Sequence, residues 1–539
     1  MLKNEPSDAR AANAGTFGPL RHTLFRNMWL ASIFSNLGLF VLGVGAAWDM
    51  TLMTGSPSMV ALVQTAMMLP VALFSLASGA IADMFDRRKV ALVALGISVS
   101  GSIALAIVAR SGHITPEAIL ALCFIVGSGT ALLWPTWGAS VAEQVPSDVL
   151  PAAVALNGIS YNVARSFGPA LGGVIVAAAG GVAAFATTVV FYVPLLVVLF
   201  LWRRTLEPSR LPPESLGRAM ISGIRYVSNA PSIRVVIGRT LMAGLAGGSV
   251  AALLPLVSRD LLQGGAQLFG LLLGAFGIGS IIGAFNFSKL RNRMSGETAV
   301  RLSTLGMALG ALTVAESRFA ALTVAALVLF GASWTGCMMS FNVTVQLSAP
   351  RWVAARSLAA YQAAVAAGVA LGGWGWGVMA NDWGVDRTLA ASAGALLVSA
   401  LLGRWLQVPT IGSDKVVSGS ELSDPDIKIS LIARSGPIVI EIEYRVATDR
   451  AQEFHAVMQQ VRSSRTRNGA YGWTLARDIS DPELWIERYH CPTWHDYLRQ
   501  RNRPTTVERE LHAKAMQFHI GKEPVRIHRM LERPGGSMG

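Results

Sequence analysis

The sequence predicts an all-α polytopic membrane protein of twelve transmembrane helices in two six-helix bundles, followed by a C-terminal α+β ferredoxin-like domain. Three observations carry that expectation. Of 539 residues, 52% are hydrophobic and only 14% are charged, against about 25% charged in a typical soluble protein. Twelve stretches reach the roughly 20 mostly apolar residues that a bilayer-crossing helix needs. The charge is also uneven: residues 1–409 hold 26 Lys/Arg and 15 Asp/Glu, while residues 410–539 hold 19 and 17. A charge-poor basic body therefore precedes a charge-rich, nearly neutral tail. A soluble enzyme of this length would need far more polar surface, so that class is excluded for most of the chain.

The expected spans are 27–51, 59–82, 90–109, 117–139, 151–178, 182–202, 235–257, 267–288, 298–315, 319–342, 355–380 and 387–407. Spans 5 and 6 are separated only by Ala179, Gly180 and Gly181. The resulting division is a cytoplasmic N-terminus at 1–26, a first bundle at 27–202, a central cytoplasmic loop at 203–234 and a second bundle at 235–407. A linker at 408–435 and a cytosolic domain at 436–539 complete it. The polar N-terminus lacks a short apolar core with a cleavage site, so no signal peptide is expected.

Net charge is +13, which raises the question of nucleic acid. Topology answers it differently. With the N-terminus inside, inner segments carry 18 Lys/Arg and outer loops carry four, Arg110, Arg259, Arg318 and Arg387. That asymmetry is the positive-inside pattern. It predicts a multi-pass protein of a bacterial-type plasma (inner) membrane with both termini cytoplasmic, partnered by the lipid bilayer and not by nucleic acid. Three cysteines, Cys123, Cys337 and Cys491, stand far apart and suggest neither a disulfide framework nor a zinc site. No cofactor or metal is expected.

The halves repeat. Gly79, Gly127 and Pro146 return as Gly283, Gly331 and Pro350 at an offset of 204, and Leu171-Gly172-Gly173 returns as Leu371-Gly372-Gly373 at an offset of 200. The slip of four residues is about one helical turn. Parallel repeats of six spans imply two bundles facing each other across a midplane substrate site.

Between spans 2 and 3 stands Gly79-Ala-Ile-Ala-Asp83-Met-Phe-Asp86-Arg87-Arg88-Lys89. Gly79 permits close helix approach, and the cations hold the loop at the inner surface. This stretch resembles the loop signature of the major facilitator superfamily. The resemblance implies an inner-side latch of Gly79, Asp83, Arg87 and Arg88 with an acid after span 4, here Glu143. It also implies that Asp83 faces the N-terminus of span 11, where Arg351 and Arg356 lie. The second-half copy has Phe287 in place of Asp83, so the latch should be one-sided.

Span 5 carries Asn157, Asn162 and Arg165, then Gly168-Pro169-Ala170-Leu171-Gly172-Gly173. The glycines thin the helix for packing, and Pro169 removes one backbone hydrogen bond and permits a kink. The run resembles the span-5 motif of drug–proton antiporters, which implies export coupled to H⁺. One departure stands out: Cys123, Phe124 and Ile125 occupy the region where such exporters place a span-4 arginine.

Charges inside spans are costly and mark functional candidates. Arg165 sits near the midplane and would either attract an anionic substrate or brace helices. Asp49, near the outer end of span 1, would titrate during transport or sit as a wet rim residue. Arg239 begins span 7 and is expected to snorkel to the inner surface. Trp134, Asn342 and Gln346 join the candidates for the cavity wall, with Asn36, Gln64, Trp137, Tyr361 and Gln362. Trp374 and Trp376 are expected to pack against lipid or a neighbouring helix.

Ala252-Leu-Leu-Pro255-Leu-Val-Ser-Arg259, the run Gly270 to Gly283, Gly331-Ala-Ser-Trp334, and Gln346 through Arg356 resemble a narrower bacterial group, that of the enterobactin exporter. The tail resembles that of its longer members, called transmembrane secretion effectors. The implied function is secondary active export of a small amphipathic molecule, drug-, siderophore- or metabolite-like, by alternating access. No Walker A motif is present to drive it with ATP. Two other functions remain open: a transporter fused to a catalytic monooxygenase-like tail, and a membrane sensor or scaffold that does not transport.

In the tail, Ile440, Ile442, Tyr444 and Val446 alternate with Glu441, Glu443 and Arg445, the pattern of a half-buried strand. A helix over 448–464 with Thr448 as N-cap, strands at 470–479 and 483–490, one or two helices over 493–518 and a strand at 524–531 complete a β-α-β-β-α-β order. It resembles dimeric α/β-barrel domains, which implies self-association. His490, Cys491 and His495 match no standard metal spacing, and no nucleophile–base set is evident.

Overall fold

The computed structural model describes residues 17–146, 148–203, 216–350, 353–408, 425, 427–432, 434–502 and 505–532. Eleven described helices are long and apolar enough to cross a membrane. One of them, Leu150–Leu201, has 52 residues. At 1.5 Å per residue it would run about 78 Å, more than twice the roughly 30 Å hydrocarbon core. It breaks at Gly180, whose φ of +76° and ψ of 179° are not helical. A residue with a Cβ resists that φ, so the corner falls on the glycine between spans 5 and 6. The twelve spans are then Thr23–Met53, Pro57–Met84, Arg87–Arg110, Pro116–Ser140, 150–179, 181–201, Pro231–Leu256, Ala266–Arg293, Gly296–Glu316, Ala320–Ser348, Ala354–Trp383 and Val385–Leu402.

Local chemistry sets several of the starts. Spans 2 and 4 begin with Pro57 and Pro116, where the missing N–H costs nothing. The Arg88 N–H donates to the Asp86 carboxylate at 2.9 Å, the Ala118 N–H to Thr115 Oγ1 at 3.2 Å and the Thr298 N–H to Ser295 Oγ at 3.2 Å. Each satisfies a donor that the helix leaves free.

The chain sorts into two compact units. One comprises Met1–Leu216, Val235–Val343 and Ala359–Thr410; the other comprises Gly217–Arg234, Thr344–Leu358 and Ile411–Gly539. The first holds the membrane bundle apart from the first residues of spans 7 and 11 and the last of span 10. One end of that bundle carries the connections at 54–56, 111–115, 180, 262–265, 317–319 and 384; it is called outer below, after the charge asymmetry.

The second unit joins three separate stretches of sequence. The central segment forms an amphipathic helix, Leu216–Asn229, where the sequence suggested only a loop. The tail forms β1 (Ile438–Arg445), a first helix (Ala451–Arg467), β2 (Tyr471–Arg477), β3 (Leu484–Cys491), two short helices (Trp494–Asn502 and Thr506–Met516) and β4 (Arg526–Leu531). The sheet order is β2-β3-β1-β4 with every pair antiparallel, the split β-α-β arrangement. A short 3-10 turn over Thr448–Arg450 precedes the first tail helix, and Arg450 rather than Thr448 takes its N-cap position. Ile438, Ile440, Ile442 and Tyr444 are buried with Phe454, Met458 and Val461 in one core. All three cysteines are free and fully buried.

Candidate transport cavity

The repeat seen in the sequence reappears as equivalent packing. Gly168 and Gly172 of span 5 pack on span 1: a Cβ on Gly168 would meet Phe40, and one on Gly172 would meet Val41 and Val44. Gly368 and Gly372 of span 11 pack in the same manner on Leu241, Gly244 and Leu245 of span 7. The next glycine of each motif turns to the opposite half. Gly173 meets Gly270 of span 8, where a Cβ would lie 2.9 Å from Gly270 Cα, and Gly373 meets Thr65 and Ala61 of span 2. Spans 5/8 and 11/2 are thus two related seams between the halves.

Hydrogen bonds between the halves gather toward the outer end among the described residues. Thr65 Oγ1 donates to the Ala370 carbonyl at 2.9 Å. Ser56 Oγ and the Ser58 N–H donate to Asn381 Oδ1 at 3.2 and 3.3 Å, and Arg259 donates to the Thr51 carbonyl at 2.6 Å. Trp48 of span 1 stacks on Phe269 of span 8 at 6.1 Å.

These seams border a cavity of about 560 Å³, within the range of sites for drug-sized molecules. Its first-half wall includes Phe40, Gln64, Met67, Trp134, Tyr161, Asn162, Arg165 and Pro169; its second-half wall includes Phe276, Phe330, Trp334, Met338, Asn342, Tyr361 and Gln362. Of the candidates, Trp134, Asn162, Arg165 and Asn342 line this space. Asn157, Gln346 and Asp49 are not on the wall. Asn157 Oδ1 is buried without a hydrogen-bond partner. Asp49 rests its carboxylate on Gly181, beside the Gly180 corner.

Arg165 lies at the middle of span 5, its guanidinium 4.8 Å from the centroid of the Phe276 ring. Span 8 reaches it because Gly277 removes the obstruction: a Cβ there would stand 2.8 Å from the Arg165 carbonyl. Phe276 and Gly277 shape the surroundings of Arg165 and were not among the residues singled out from the sequence. Their signal was the glycine run from Gly270 to Gly283.

At the inner end, Arg87 donates to Glu143 Oε1 at 2.8 Å and to the Ala139 carbonyl at 2.8 Å. Arg88 donates to the Leu199 carbonyl at 3.0 Å, and also to Phe200, binding the C-terminus of span 6 where a cation is favoured. The Asp83 side chain and Arg351 lie outside the described residues. Arg356, in the second unit, places its side chain against Gly223 of the central helix. A Cβ on Gly79 would meet nothing within 4 Å, whereas its second-half counterpart Gly283 packs on Ala332.

Arg239 does not snorkel. It is 2% exposed and donates to Glu297 Oε2 and to the Leu406 carbonyl. Glu297 also accepts from Arg301 at 2.8 Å and from the Val408 N–H at 2.8 Å. A carboxylate arriving from span 9 makes burial possible, which position along span 7 alone could not reveal. Trp374 is half exposed, and Trp376 donates to the Leu245 carbonyl at 2.8 Å.

In the second unit, Arg225 of the central helix donates to the Gly469 carbonyl at 3.1 Å. Arg467 pairs with Glu508 at 2.6 Å. The buried Glu487 carboxylate accepts from Arg465, Trp473 and Tyr444 at 3.1, 3.0 and 3.2 Å, so its lone pairs are well satisfied. Burial, with Arg465 and Arg467 nearby, pushes His512 down to about 3. Among the described residues no group of three His, Cys, Asp or Glu side chains could hold a metal ion.

Two repeated six-helix bundles around a cavity define a membrane transporter of the major facilitator fold. The chain belongs to the transmembrane secretion effector family, whose profile matches residues 14–535. It is similar to the enterobactin exporter EntS of Escherichia coli, with 28% identity over 398 residues, or 71% of this chain and 91% of that protein. Among solved structures it resembles a bacterial homologue of the human lysosomal transporter Spinster in an inward-facing, unoccupied conformation (TM-score 0.57, 12% identity, 72% of this chain and 97% of the other). It also resembles a D-xylose–proton symporter (TM-score 0.56, 14% identity, 71% and 99%). Family membership makes the chain a transporter rather than an enzyme.

Proposed function

We propose that this chain is a secondary active exporter that moves a small amphipathic molecule across a bacterial inner membrane by alternating access, coupled to H⁺. The cavity between the repeated halves carries the reading: it combines aromatic and aliphatic walls with a few polar groups at the interface of two bundles. The hydrogen bonds and stacked rings toward the outer end support a state that loads from the inner side. The positive-inside count supports cytoplasmic termini. Similarity to the enterobactin exporter makes siderophore-like molecules the first candidate cargo, ahead of drugs and other metabolites.

Asp49 is the proposed proton carrier, because it is the carboxylate deepest within a span among the described side chains. Its place at the corner of spans 5 and 6 would link its charge to movement of span 5. Arg87 and Glu143 would form the latch on the inner side, with Asp83 and Arg356 as further members. The tail would serve as a dock for the central helix through Arg225 and Gly469, and as a site of self-association.

The test is efflux from proteoliposomes containing the full chain and a panel of fluorescent amphipathic molecules. An imposed proton gradient should drive uphill movement, and Asp49→Asn should leave downhill exchange while abolishing accumulation. Uphill movement that persists unchanged in Asp49→Asn would remove Asp49 from the coupling. Movement of no probe by the wild-type chain would remove the exporter reading.

A further inference from the structure

Among the described residues the cavity wall holds a single formal charge. Arg165 is the only ionisable residue of the Asp, Glu, Lys, Arg or His types among those lining the space. Its guanidinium makes no ion pair with any described carboxylate; its close partner is the Phe276 ring at 4.8 Å. A cation inside a membrane is costly and normally finds an anionic partner. An arginine that only braced helices would be expected to spend its donors on carbonyls or carboxylates. Arg88 does so at the end of span 6, and Arg239 does so beneath span 12.

The setting of the guanidinium adds a second constraint. Phe276 stands in a row with Phe330 and Trp334, at centroid separations of 6.0 and 6.4 Å. Across from them Tyr161 packs edge-on against Trp134 at 5.9 Å. The charge is therefore flanked by aromatic surfaces contributed by both halves.

We infer that the cargo is an organic anion with a flat, largely aromatic body, whose acidic group docks on Arg165 while its body lies against the aromatic walls. This rests on reading the cavity as the transport site and deepens it by naming the cargo class. A carboxylate, sulfonate or ionised phenol would satisfy the guanidinium through charge-assisted hydrogen bonds, bidentate for a planar oxyacid. Docking would also draw Arg165 away from the Phe276 face. Because Arg165 belongs to span 5 and Phe276 to span 8, that exchange replaces a contact between halves with a contact to cargo. Loaded and empty cavities then differ in how firmly the 5/8 seam is held, and a ligand shifts states only through such a difference. Arg165 is thereby a specificity-determining residue for charge.

The experiment uses the full chain in nanodiscs and proteoliposomes with three matched probes: dansylglycine, its neutral methyl ester, and its cationic ethylenediamine amide. Trp134 and Trp334 line the cavity, so the part of the tryptophan-to-dansyl energy transfer that is lost when both are replaced by Phe reads binding there. Wild type should bind the acid at least tenfold more tightly than the ester, and the amide more weakly still. Arg165→Gln should weaken acid binding at least tenfold while leaving the ester within about twofold. Arg165→Lys should keep the preference for the acid, which separates loss of charge from loss of folding. Equal binding of acid and ester by wild type, or an unchanged acid preference in Arg165→Gln, would overturn the anion assignment. Transport of the ester as fast as the acid would overturn it while leaving the exporter reading standing. Binding and transport of neither would overturn both.

Discussion

The two halves of the bundle secure their inner ends in opposite ways. In the first half, Arg87 at the start of span 3 and Glu143 just after span 4 pair with side chains 24% and 23% exposed. In the second half, Glu297 gathers Arg239, Arg301 and the Val408 backbone beneath span 12, and Arg239 is only 2% exposed. The first arrangement can exchange partners with water at little cost; the second cannot. The fold is related by repetition, yet one half carries a partly exposed ion pair, the proposed latch, and the other a buried brace. The seams differ likewise. At 5/8, backbone meets backbone at Gly173 and Gly270. At 11/2, Gly373 meets the Thr65 side chain while Gly377 approaches the Ser58 backbone, and hydrogen bonds join Thr65 to Ala370 and Ser56 to Asn381. In the proposed alternating-access cycle the first would serve as a close sliding contact and the second as a closure that is made and broken.

The largest effect should come from the brace. Glu297→Gln leaves Arg239 buried beside a neutral amide, and removing one partner of a buried pair costs about 3–5 kcal/mol. Thermal unfolding of the detergent-solubilised chain should show it as a large fall in Tm. A change no greater than that of Glu143→Gln would erase the distinction between brace and latch.

Next come the seam glycines. Gly173→Leu forces a side chain onto the Gly270 backbone, and overpacking of about 1–3 kcal/mol should cut transport at least about tenfold. Gly373→Leu should lose less, because a Thr65 rotamer change relieves part of the clash. Equal losses measured in proteoliposome exchange would mean that the two seams work alike.

Thr65→Val tests the closure. It deletes the bond to the Ala370 carbonyl, a contact class averaging about 0.6 kcal/mol within membranes. The outer end should open more often, by about threefold, read as labelling by an impermeant maleimide, added from the outer side, of a cysteine introduced at Ala252, a buried residue of the cavity wall. Unchanged labelling would show that the bond does not hold the outer end shut.

The smallest effect belongs to Glu143→Gln. A partly exposed pair contributes about 0–1 kcal/mol, so Tm should stay nearly constant while transport changes by no more than about twofold. A collapse in stability would make Arg87 and Glu143 structural after all.

Much of the fold was legible because bilayer chemistry leaves few options. Twelve apolar runs gave twelve spans, and the corner at Gly180 fell inside the short gap between the fifth and sixth. The Leu-Gly-Gly triplets at 171–173 and 371–373 lie at close helix contacts within and between the halves. The central helix at Leu216–Asn229 was not legible as a helix. Its apolar residues Ile221 and Ile224 are interleaved with Arg, Ser and Gly, and its 14 residues are too few for a span. Arg165 could be singled out from its position, but Phe276 and Gly277 could not. Their importance lies in a contact from another helix, and the same holds for Glu297 beside Arg239. Pairing across spans depends on rotation about each helix axis, which hydropathy does not encode.

The burial of Cys123, Cys337 and Cys491 has a practical consequence for all of these measurements. A hydrophilic maleimide finds no native sulfhydryl on the accessible surface, so a reporter thiol introduced at Ala252 supplies the signal in an otherwise unaltered chain. The same background suits a double variant at Ser56 and Asn381, whose cross-linking would record each closing of the outer end without first rebuilding the protein as a cysteine-free mutant.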